Sequence, residues 1–220
     1  EENPPFEKDD QGRYQISTFE DLKTLKEKVA SDTFHDIYEG ADYVLTENIF
    51  VPADQSWSDG IGTTEHPFTG HFDGAGYIIN GLKFGAEDNG EQQVGGLFSY
   101  IGEKGIVEDL HLTAIDSAGS FVTQGAVAAV NQGTIRQCVV GIRSNDGTVT
   151  LEGTEYDLSI LKAFIEASEA AGGIAGINEG TIQSCRVSAT VISNEAAGGI
   201  AGVNHGSILD CTNGGSVGNS

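Results

Sequence analysis

The sequence predicts an all-β protein that folds as one parallel β-helix, or solenoid, with an N-terminal capping helix and one helical insertion. Two observations support this prediction. Residues 172–185 read GGIAGINEGTIQSC, and residues 198–211 repeat nearly the same letters as GGIAGVNHGSILDC. Glycine is abundant, at 31 of 220 residues, whereas proline is scarce, at 4, which is typical of ordered strands joined by tight turns. Self-similarity at such a period indicates stacked coils that share one core.

The N-terminal segment is predicted to be a flexible lead-in followed by the capping helix. Residues 1–13 are polar and contain prolines, and the single β-helix domain is expected over residues 14–220. Ser17 and Glu20 have the spacing of a capping box, in which each side chain accepts a hydrogen bond from the other residue's backbone NH. A helix over about residues 18–30 is predicted because four apolar residues fall on one face: Phe19, Leu22, Leu25 and Val29.

Strand patterns begin at Tyr43, and regular repeats follow from Gly95. Four segments align, and they start at Gly96, Ala126, Gly173 and Gly199. The spacing between the second and third segments exceeds one repeat by about the length of a helix, so a helical insertion is predicted over about residues 152–170. Asp157 can cap this helix, and its apolar face would pack on the flank of the coils through Leu158, Leu161, Phe164 and Ile165. Such a helix would form a ledge on which a ligand groove could lie.

Stacked coils place equivalent residues directly above one another, about 4.8 Å apart. One inward column is predicted to contain Ile135, Ile182 and Ile208. A second inward column is predicted to contain Leu110, Cys138, Cys185 and Cys211. Because leucine fills the same position in the first repeat, the three cysteines are predicted to be reduced and buried, although neighbouring coils would also permit one strained disulfide.

Asparagines and glycines mark the bends of the predicted coils. The Asn-x-Gly pattern favours left-handed backbone dihedrals, and stacked amides can hydrogen-bond along their column, which contains Asn131, Asn178 and Asn204. The alternative is that these asparagines line a ligand groove. Tight turns flanking the small residues Ala175 and Ala201 are predicted at Gly173, Gly176, Gly199 and Gly202.

The repeat pattern, Gly-hydrophobic-small-Gly followed by Asn-x-Gly-x-Ile-x-x-Cys, resembles the GLUG-type repeats of bacterial surface proteins, including regions attached to immunoglobulin A peptidases. The resemblance covers about residues 14–217, and residues 16–22 and 68–74 are similar to the entry region of those domains. It implies a right-handed, single-stranded parallel β-helix of the pectate-lyase type, on a bacterial protein exported to the cell surface or beyond. The repeats supply no catalytic residues. Alanines replace both glycines in residues 126–129, so the resemblance is weaker in that coil.

The formal charge of −22 argues against nucleic acid as a partner, because such a surface repels polyanions. The charge permits calcium without identifying it, and no cofactor is predicted. No apolar run reaches the roughly 18 residues of a membrane helix, so no membrane insertion is predicted. The first residues, EENPPFEKDD, lack a methionine, which suggests a removed export signal or linker.

Catalytic and metal-ligating residues are not predicted from the sequence. A glycosidase needs two neighbouring carboxylates, but the position before the cysteine column reads Asp109, Gln137, Ser184 and Asp210, with the two acids at opposite ends. No CxxC motif occurs, and metal-type spacing is absent among the histidines, which are His35, His66, His71, His111 and His205.

These observations favour a non-enzymatic, exported surface module for adhesion or for binding a glycan or another host ligand. The expected partner is a host or cell-surface glycan or protein, and the sequence does not identify the binding residues. Two alternatives stay open. One is a carbohydrate-active enzyme, either a polysaccharide lyase or a glycosidase, because β-helices carry such chemistry. The other is a structural spacer within a larger surface protein.

Overall fold

The computed structural model describes residues 5–85, 93–117, 121–141, 148–151, 154–157 and 162–219. Two helices are described, α1 (Phe19–Val29) and α2 (His35–Tyr38). The first strands are β1 (Tyr14–Ile16), β2 (Asp42–Leu45), β3 (Ile49–Phe50), β4 (His71–Asp73), β5 (Ile78–Asn80), β6 (Lys83–Phe84), β7 (Val94–Gly95), β8 (Phe98–Ile101), β9 (Ile106–Glu108), β10 (His111–Thr113), β11 (Asp116–Ser117), β12 (Thr123–Gly125), β13 (Ala128–Asn131), β14 (Thr134–Arg136) and β15 (Val139–Val140). The remaining strands are β16 (Thr148–Leu151), β17 (Thr154–Asp157), β18 (Ala163–Ala167), β19 (Ala170–Gly172), β20 (Ala175–Asn178), β21 (Thr181–Gln183), β22 (Arg186–Val187), β23 (Ala189–Ser193), β24 (Ala196–Gly198), β25 (Ala201–Asn204), β26 (Ser207–Leu209), β27 (Thr212–Asn213) and β28 (Ser216–Asn219).

The strands stack as the coils of a parallel β-solenoid, which confirms the predicted fold class. The longest sheet has seven strands in the order β1-β2-β4-β9-β14-β21-β26, and a second has six in the order β27-β22-β15-β10-β5-β3. Two four-stranded sheets, β24-β19-β12-β7 and β25-β20-β13-β8, and the three-stranded sheet β18-β23-β28 complete most coils. Each strand in these sheets pairs in parallel with the strand one coil away, so each sheet runs along the length of the stack.

Helix α1 begins one residue later than the predicted capping box implies. Thr18, not Ser17, is the N-cap: its hydroxyl accepts from the Asp21 backbone NH, and the Asp21 carboxylate accepts from the Thr18 NH. The box therefore uses the shorter carboxylate of Asp21, which also accepts bonds from Ser17, while Glu20 forms an ion pair with Lys23. The predicted apolar face is fully inside the molecule, with Phe19, Leu22, Leu25 and Val29 buried.

The flexible lead-in is a correction for the described residues 5–13, which are folded onto the capped end. Phe6 is 4% exposed, and its ring lies 5.7 Å from that of Tyr14 and 6.1 Å from those of Tyr38 and Tyr43. Lys8 forms an antiparallel bridge with Tyr14. The burial of Phe6 among these rings and the backbone bond from the Gln15 NH to the Glu7 carbonyl hold this segment against the capped end. Residues 1–4 lie outside the described residues.

The predicted helical insertion is wrong for residues 154–157 and 162–170, the part of it that the structure describes. Strands β16 and β17 form an antiparallel hairpin, and β18 is an ordinary strand of the solenoid, paired with β23 from Ala163↔Ala189 to Ala167↔Ser193. Burial in β18 alternates, with Ile165 buried and Phe164 half-buried. The apolar residues therefore follow the period of a strand, and pairing with the next coil overrides their helical spacing. Leu158 and Leu161 lie outside the described residues, and a ledge built by a helix is not supported.

Candidate functional site

The apolar columns of the solenoid stack in the order that the repeats imply. Ile135 is in register with Ile182, which is in register with Ile208. Backbone bonds join the cysteine column in the same way: the NH groups of Val139, Arg186 and Thr212 donate to the carbonyls of Leu110, Cys138 and Cys185. Cys211 follows, with its sulfur 3.4 Å from the Cys185 nitrogen.

All three cysteines are free thiols, but their environments differ. Cys138 and Cys185 are fully buried, whereas Cys211 is only partly buried, so the prediction of three buried thiols is wrong for Cys211. Cys211 lies in the last described coil, where no other described coil covers it. The hydrogen bond with Cys185, together with burial, raises the pKa of Cys138. A buried thiol of raised pKa is a poor nucleophile, and Cys138 therefore serves as packing material.

The asparagine column forms a ladder of side-chain amides. The Nδ2 of Asn131 donates to the Oδ1 of Asn178, and that of Asn178 donates to the Oδ1 of Asn204, each over 2.7 Å. Asn131 and Asn178 are 0% exposed, so these two side chains do not line a ligand groove. Their amides satisfy each other and the carbonyls of the following turn, which removes the cost of burying them unpaired.

The left-handed dihedrals occur before the cysteines and not at the asparagines, where they were predicted. None of the three asparagines has a positive φ; the residues that precede the cysteine column do, with φ of 50° to 56° at Asp109, Gln137, Ser184 and Asp210. The signal was present as a short polar residue in nearly every repeat. These residues close the corner between two sheets, because a left-handed residue turns the chain sharply.

The repeated glycines are required by close approach between coils rather than by positive φ. A Cβ at Gly173 would overlap the carbonyl oxygen of Gly199, and one at Gly202 would lie 2.8 Å from the Ala171 nitrogen. A Cβ at Gly176 would meet the side chain of Thr123, and one at Gly199 would meet that of Asn213. The glycines therefore set how tightly the coils stack.

A groove of about 500 Å³ lies along the six-stranded sheet. One row of residues in register crosses it, from His111 through Val139 and Arg186 to Thr212. Ser188 adds a hydroxyl, and none of the described residues that line the groove is an aspartate or a glutamate. Burial lowers the pKa of His111, whose Nε2 lies 3.1 Å from the Gly141 carbonyl oxygen, and therefore favours the neutral imidazole.

A row of charged side chains crosses the seven-stranded sheet. Arg13 forms an ion pair with Asp73 over 3.0 Å, and Glu108 is held between the Nε2 of His71, at 2.7 Å, and the guanidinium of Arg136. Asp73 and Glu108 are in register on adjacent coils, and this carboxylate pair was not predicted because Asp73 precedes the regular repeats, where no repeated letters give the register between coils. The bond from Arg136, reinforced by His71, lowers the pKa of Glu108, which is the opposite of what a general acid needs.

The five histidines lie in four different places. His71 and His111 have the partners already given, and His205 is exposed in the last coil. His35 and His66 are far apart in sequence, yet their rings stack at 3.8 Å beside the carboxylate of Glu39. The spacing of histidines alone could not show this, but His35 and Glu39 are four residues apart, which is the spacing of neighbours on one helix face.

Comparison with known proteins supports the fold. A crystal structure described as a putative immunoglobulin A1 protease from Bacteroides ovatus superposes with a TM-score of 0.69, at 20% identity, over 96% of this chain and 60% of that chain. A segment of halomucin from Haloquadratum walsbyi is 32% identical over 130 residues, which is 56% of this chain and 1% of halomucin. The chain thus spans less than two thirds of each relative. No family model matches the chain, so membership of the GLUG-repeat family is not established.

Within the described residues, neither helix is long and apolar enough to cross a membrane.

Proposed function

We propose that the chain is a non-enzymatic module of a surface or secreted protein, and that it binds a glycan in the groove along the six-stranded sheet. The observation that carries the proposal is the lining of this groove. Arg186 supplies a fork of donors, Ser188 and Thr212 supply hydroxyls, and Val139 supplies an apolar surface. Sugars are bound by such a mixture of planar donors, hydroxyl groups and apolar contact.

The chemistry of the groove favours binding over cleavage. Glycoside hydrolysis uses two carboxylates beside the scissile bond, and the described groove lining contains none. The carboxylate pair of Asp73 and Glu108 lies on a different sheet, and both members are engaged in ion pairs. An acid whose pKa is lowered cannot deliver a proton efficiently near neutral pH.

The sequence identity with a segment of halomucin supports an extracellular location, since mucins are extracellular proteins. A rigid solenoid presents one face at a fixed orientation, which suits adhesion.

The test is a glycan array on the purified chain, followed by titration of the best ligand into Arg186→Ala. Loss of a hydrogen-bonded guanidinium should weaken binding by roughly ten-fold or more. Lys104→Ala is the matched control, because Lys104 is an exposed cation in a turn outside the groove. Shortening of the bound glycan over time would instead support the enzyme. Binding to no glycan would leave the structural spacer as the better description.

A further inference from the structure

A cluster of ionisable side chains lies at the capped end of the solenoid, and it shares no residue with the groove or the charged row described above. His35 and Glu39 come from α2 and its C-terminal end, and His66 comes from the loop that precedes β4. The Oε2 of Glu39 lies 3.2 Å from the Nδ1 of His35 and 3.9 Å from the Nδ1 of His66. The side chains are only partly exposed, at 22%, 27% and 17% for His35, Glu39 and His66.

Backbone bonds hold the two segments that carry the cluster. The Glu39 NH donates to the His35 carbonyl over 2.8 Å, which keeps these two side chains on one face. His66 closes a tight turn with Thr63. The His66 NH donates to the Thr63 hydroxyl, and the Thr63 NH donates to the His66 carbonyl, each over 2.9 Å. The Thr69 NH donates to the Glu39 carbonyl over 2.7 Å and so joins the two segments directly. The cluster therefore has a built scaffold rather than being a chance meeting of surface side chains.

We propose that His35, Glu39 and His66 bind one divalent transition-metal ion of the zinc class. Two imidazole nitrogens and one carboxylate oxygen are a donor set that zinc accepts, with a fourth position left for water or another ligand. Ligand atoms around a tetrahedral zinc lie about 3.3 Å apart, given bonds of about 2.0 to 2.2 Å. The Glu39 oxygen lies 3.2 Å and 3.9 Å from the two imidazole nitrogens, and all three ligand atoms lie within 4.8 Å of one another. Because the two rings stack with their planes 24° apart, and a metal lies in the plane of each imidazole that it binds, the partly exposed His66 ring has to turn out of the stack when the ion binds.

The surroundings of the cluster match what surrounds a bound metal. The Nε2 of His66 lies 3.2 Å from the carboxylate of Asp32, and a metal-ligating histidine commonly donates its second NH to such a carboxylate, which fixes the ring. Asp36 adds a second carboxylate 3.5 Å from the His35 ring. Three carboxylates lie beside the two stacked imidazoles, in a chain of charge −22. A divalent cation at this site would reduce the repulsion between these carboxylates.

The donor set also determines which ions bind. Imidazole selects zinc, nickel, cobalt and copper, whereas calcium and magnesium take mainly oxygen ligands. A bound ion would tie α2 to the loop carrying His66, and would thereby fix the capping segment to the first coil. The sequence predicts no metal site because its third ligand comes from a loop about thirty residues away.

The experiment uses the full chain without a histidine tag, freed of metal by a chelator and titrated with zinc chloride in a calorimeter. We expect one zinc per chain, a higher melting temperature in its presence, and a visible absorption band of four-coordinate geometry when cobalt replaces zinc. His66→Ala and Glu39→Gln should each weaken zinc binding by ten-fold or more. Glu39→Gln preserves the shape of the side chain, so equal melting temperatures without metal will show that the fold is intact.

Two controls separate this site from other zinc ligands of the chain. His205→Ala removes an exposed histidine of the last coil, and Cys211→Ser removes the only partly exposed thiol, and both should leave zinc binding unchanged. The proposal is overturned if the native chain binds no zinc, if binding disappears in Cys211→Ser, or if both cluster variants bind as tightly as the native chain. Displacement of zinc by equimolar calcium would also contradict it.

Discussion

The two ends of the solenoid have different cores. Near the capped end the interior is built from large aromatic side chains, with the Phe68 ring 6.0 Å from Tyr43 and 5.1 Å from Phe98. Beyond residue 121 the buried apolar side chains are alanine, isoleucine, valine and cysteine, and the buried polar side chains are those of Thr123, Gln124, Asn131, Asn178 and Ser193. The comparison shows two ways to fill a coil: bulky residues fill coils of irregular sequence, whereas coils of repeated sequence depend on exact register between small residues.

Burial in the repeated region comes from neighbouring coils. Ala175, Ile182 and Cys185 are fully buried, whereas their partners in the last described coil, Ala201, Ile208 and Cys211, are only partly buried. The same sequence pattern therefore gives a core in one coil and a half-exposed surface in the next. A residue's contribution to stability should depend on how many coils cover it.

The largest expected effect is in the aromatic region. Phe68→Ala removes a 0% exposed ring between Tyr43 and Phe98, and it should lower the free energy of unfolding by about 3–5 kcal/mol. Ile37→Ala, at a side chain that is 55% exposed, is the control and should change it by less than about 0.5 kcal/mol. Urea unfolding followed by circular dichroism measures both. A loss below about 1 kcal/mol for Phe68→Ala would mean that this core is not closely packed.

A smaller effect is expected from adding a side chain at a glycine of the repeated region that lies against neighbouring backbone atoms. A Cβ at Gly172 would overlap the Ala175 carbonyl oxygen and lie 2.7 Å from the Gly202 nitrogen, and both are backbone atoms that cannot move aside singly. Gly172→Ala should therefore destabilise the chain by about 1–3 kcal/mol. Gly218→Ala is the matched control, since no atom lies within 4 Å of its Cβ position. Equal stability of the two variants would show that the coils can separate without cost.

The amide ladder tests whether polar columns carry stability. The Asn178 side chain accepts a hydrogen bond from Asn131 and donates one to Asn204. Asn178→Ala therefore removes two hydrogen bonds of the ladder, and it leaves the buried Asn131 amide without its partner at 2.7 Å. We expect a loss of about 1–3 kcal/mol. Asn204→Ala, at the exposed end of the ladder, removes the bond from Asn178 and the exposed bond to the Gly206 carbonyl. Water can replace both bonds there, so this change should cost less than half as much. Similar losses from both would contradict the expectation that burial sets how much a ladder bond contributes to stability.

The sequence allowed the stacking to be predicted, because register between repeats is written directly in the letters: Ile135, Ile182 and Ile208 occupy equivalent positions. The helical cap was predicted for the same reason, that its pattern is local. The insertion was mispredicted because Phe164 and Ile165 satisfy a helical spacing as well as a strand period, and only pairing with β23 decides between them.

The candidate site could be predicted much less well than the fold. His111, Arg186 and Thr212 form one row of the groove only after four coils have stacked, and no motif in the sequence links them. The partnership of Asp73 with Glu108 depends equally on the register between coils. The left-handed corner before each cysteine was visible as a repeated polar position, but a polar residue there can serve chemistry or a turn, and only the backbone dihedral distinguishes the two.

The corner gives the prediction with the smallest expected effect. Ser184 has a φ of 54°, whereas Gln183, one residue earlier, is not among the residues of positive φ, and both side chains are exposed. A β-branched side chain is strongly disfavoured in the left-handed region, so Ser184→Val should destabilise the chain by about 1 kcal/mol. Gln183→Val places the same side chain in strand β21, where valine is favoured, and should be neutral or slightly stabilising. The two melting temperatures, measured under the same conditions, isolate the dihedral from the loss of polarity. A neutral Ser184→Val would mean that the corner can open to a negative φ, and that the tight register of the repeated coils does not depend on it.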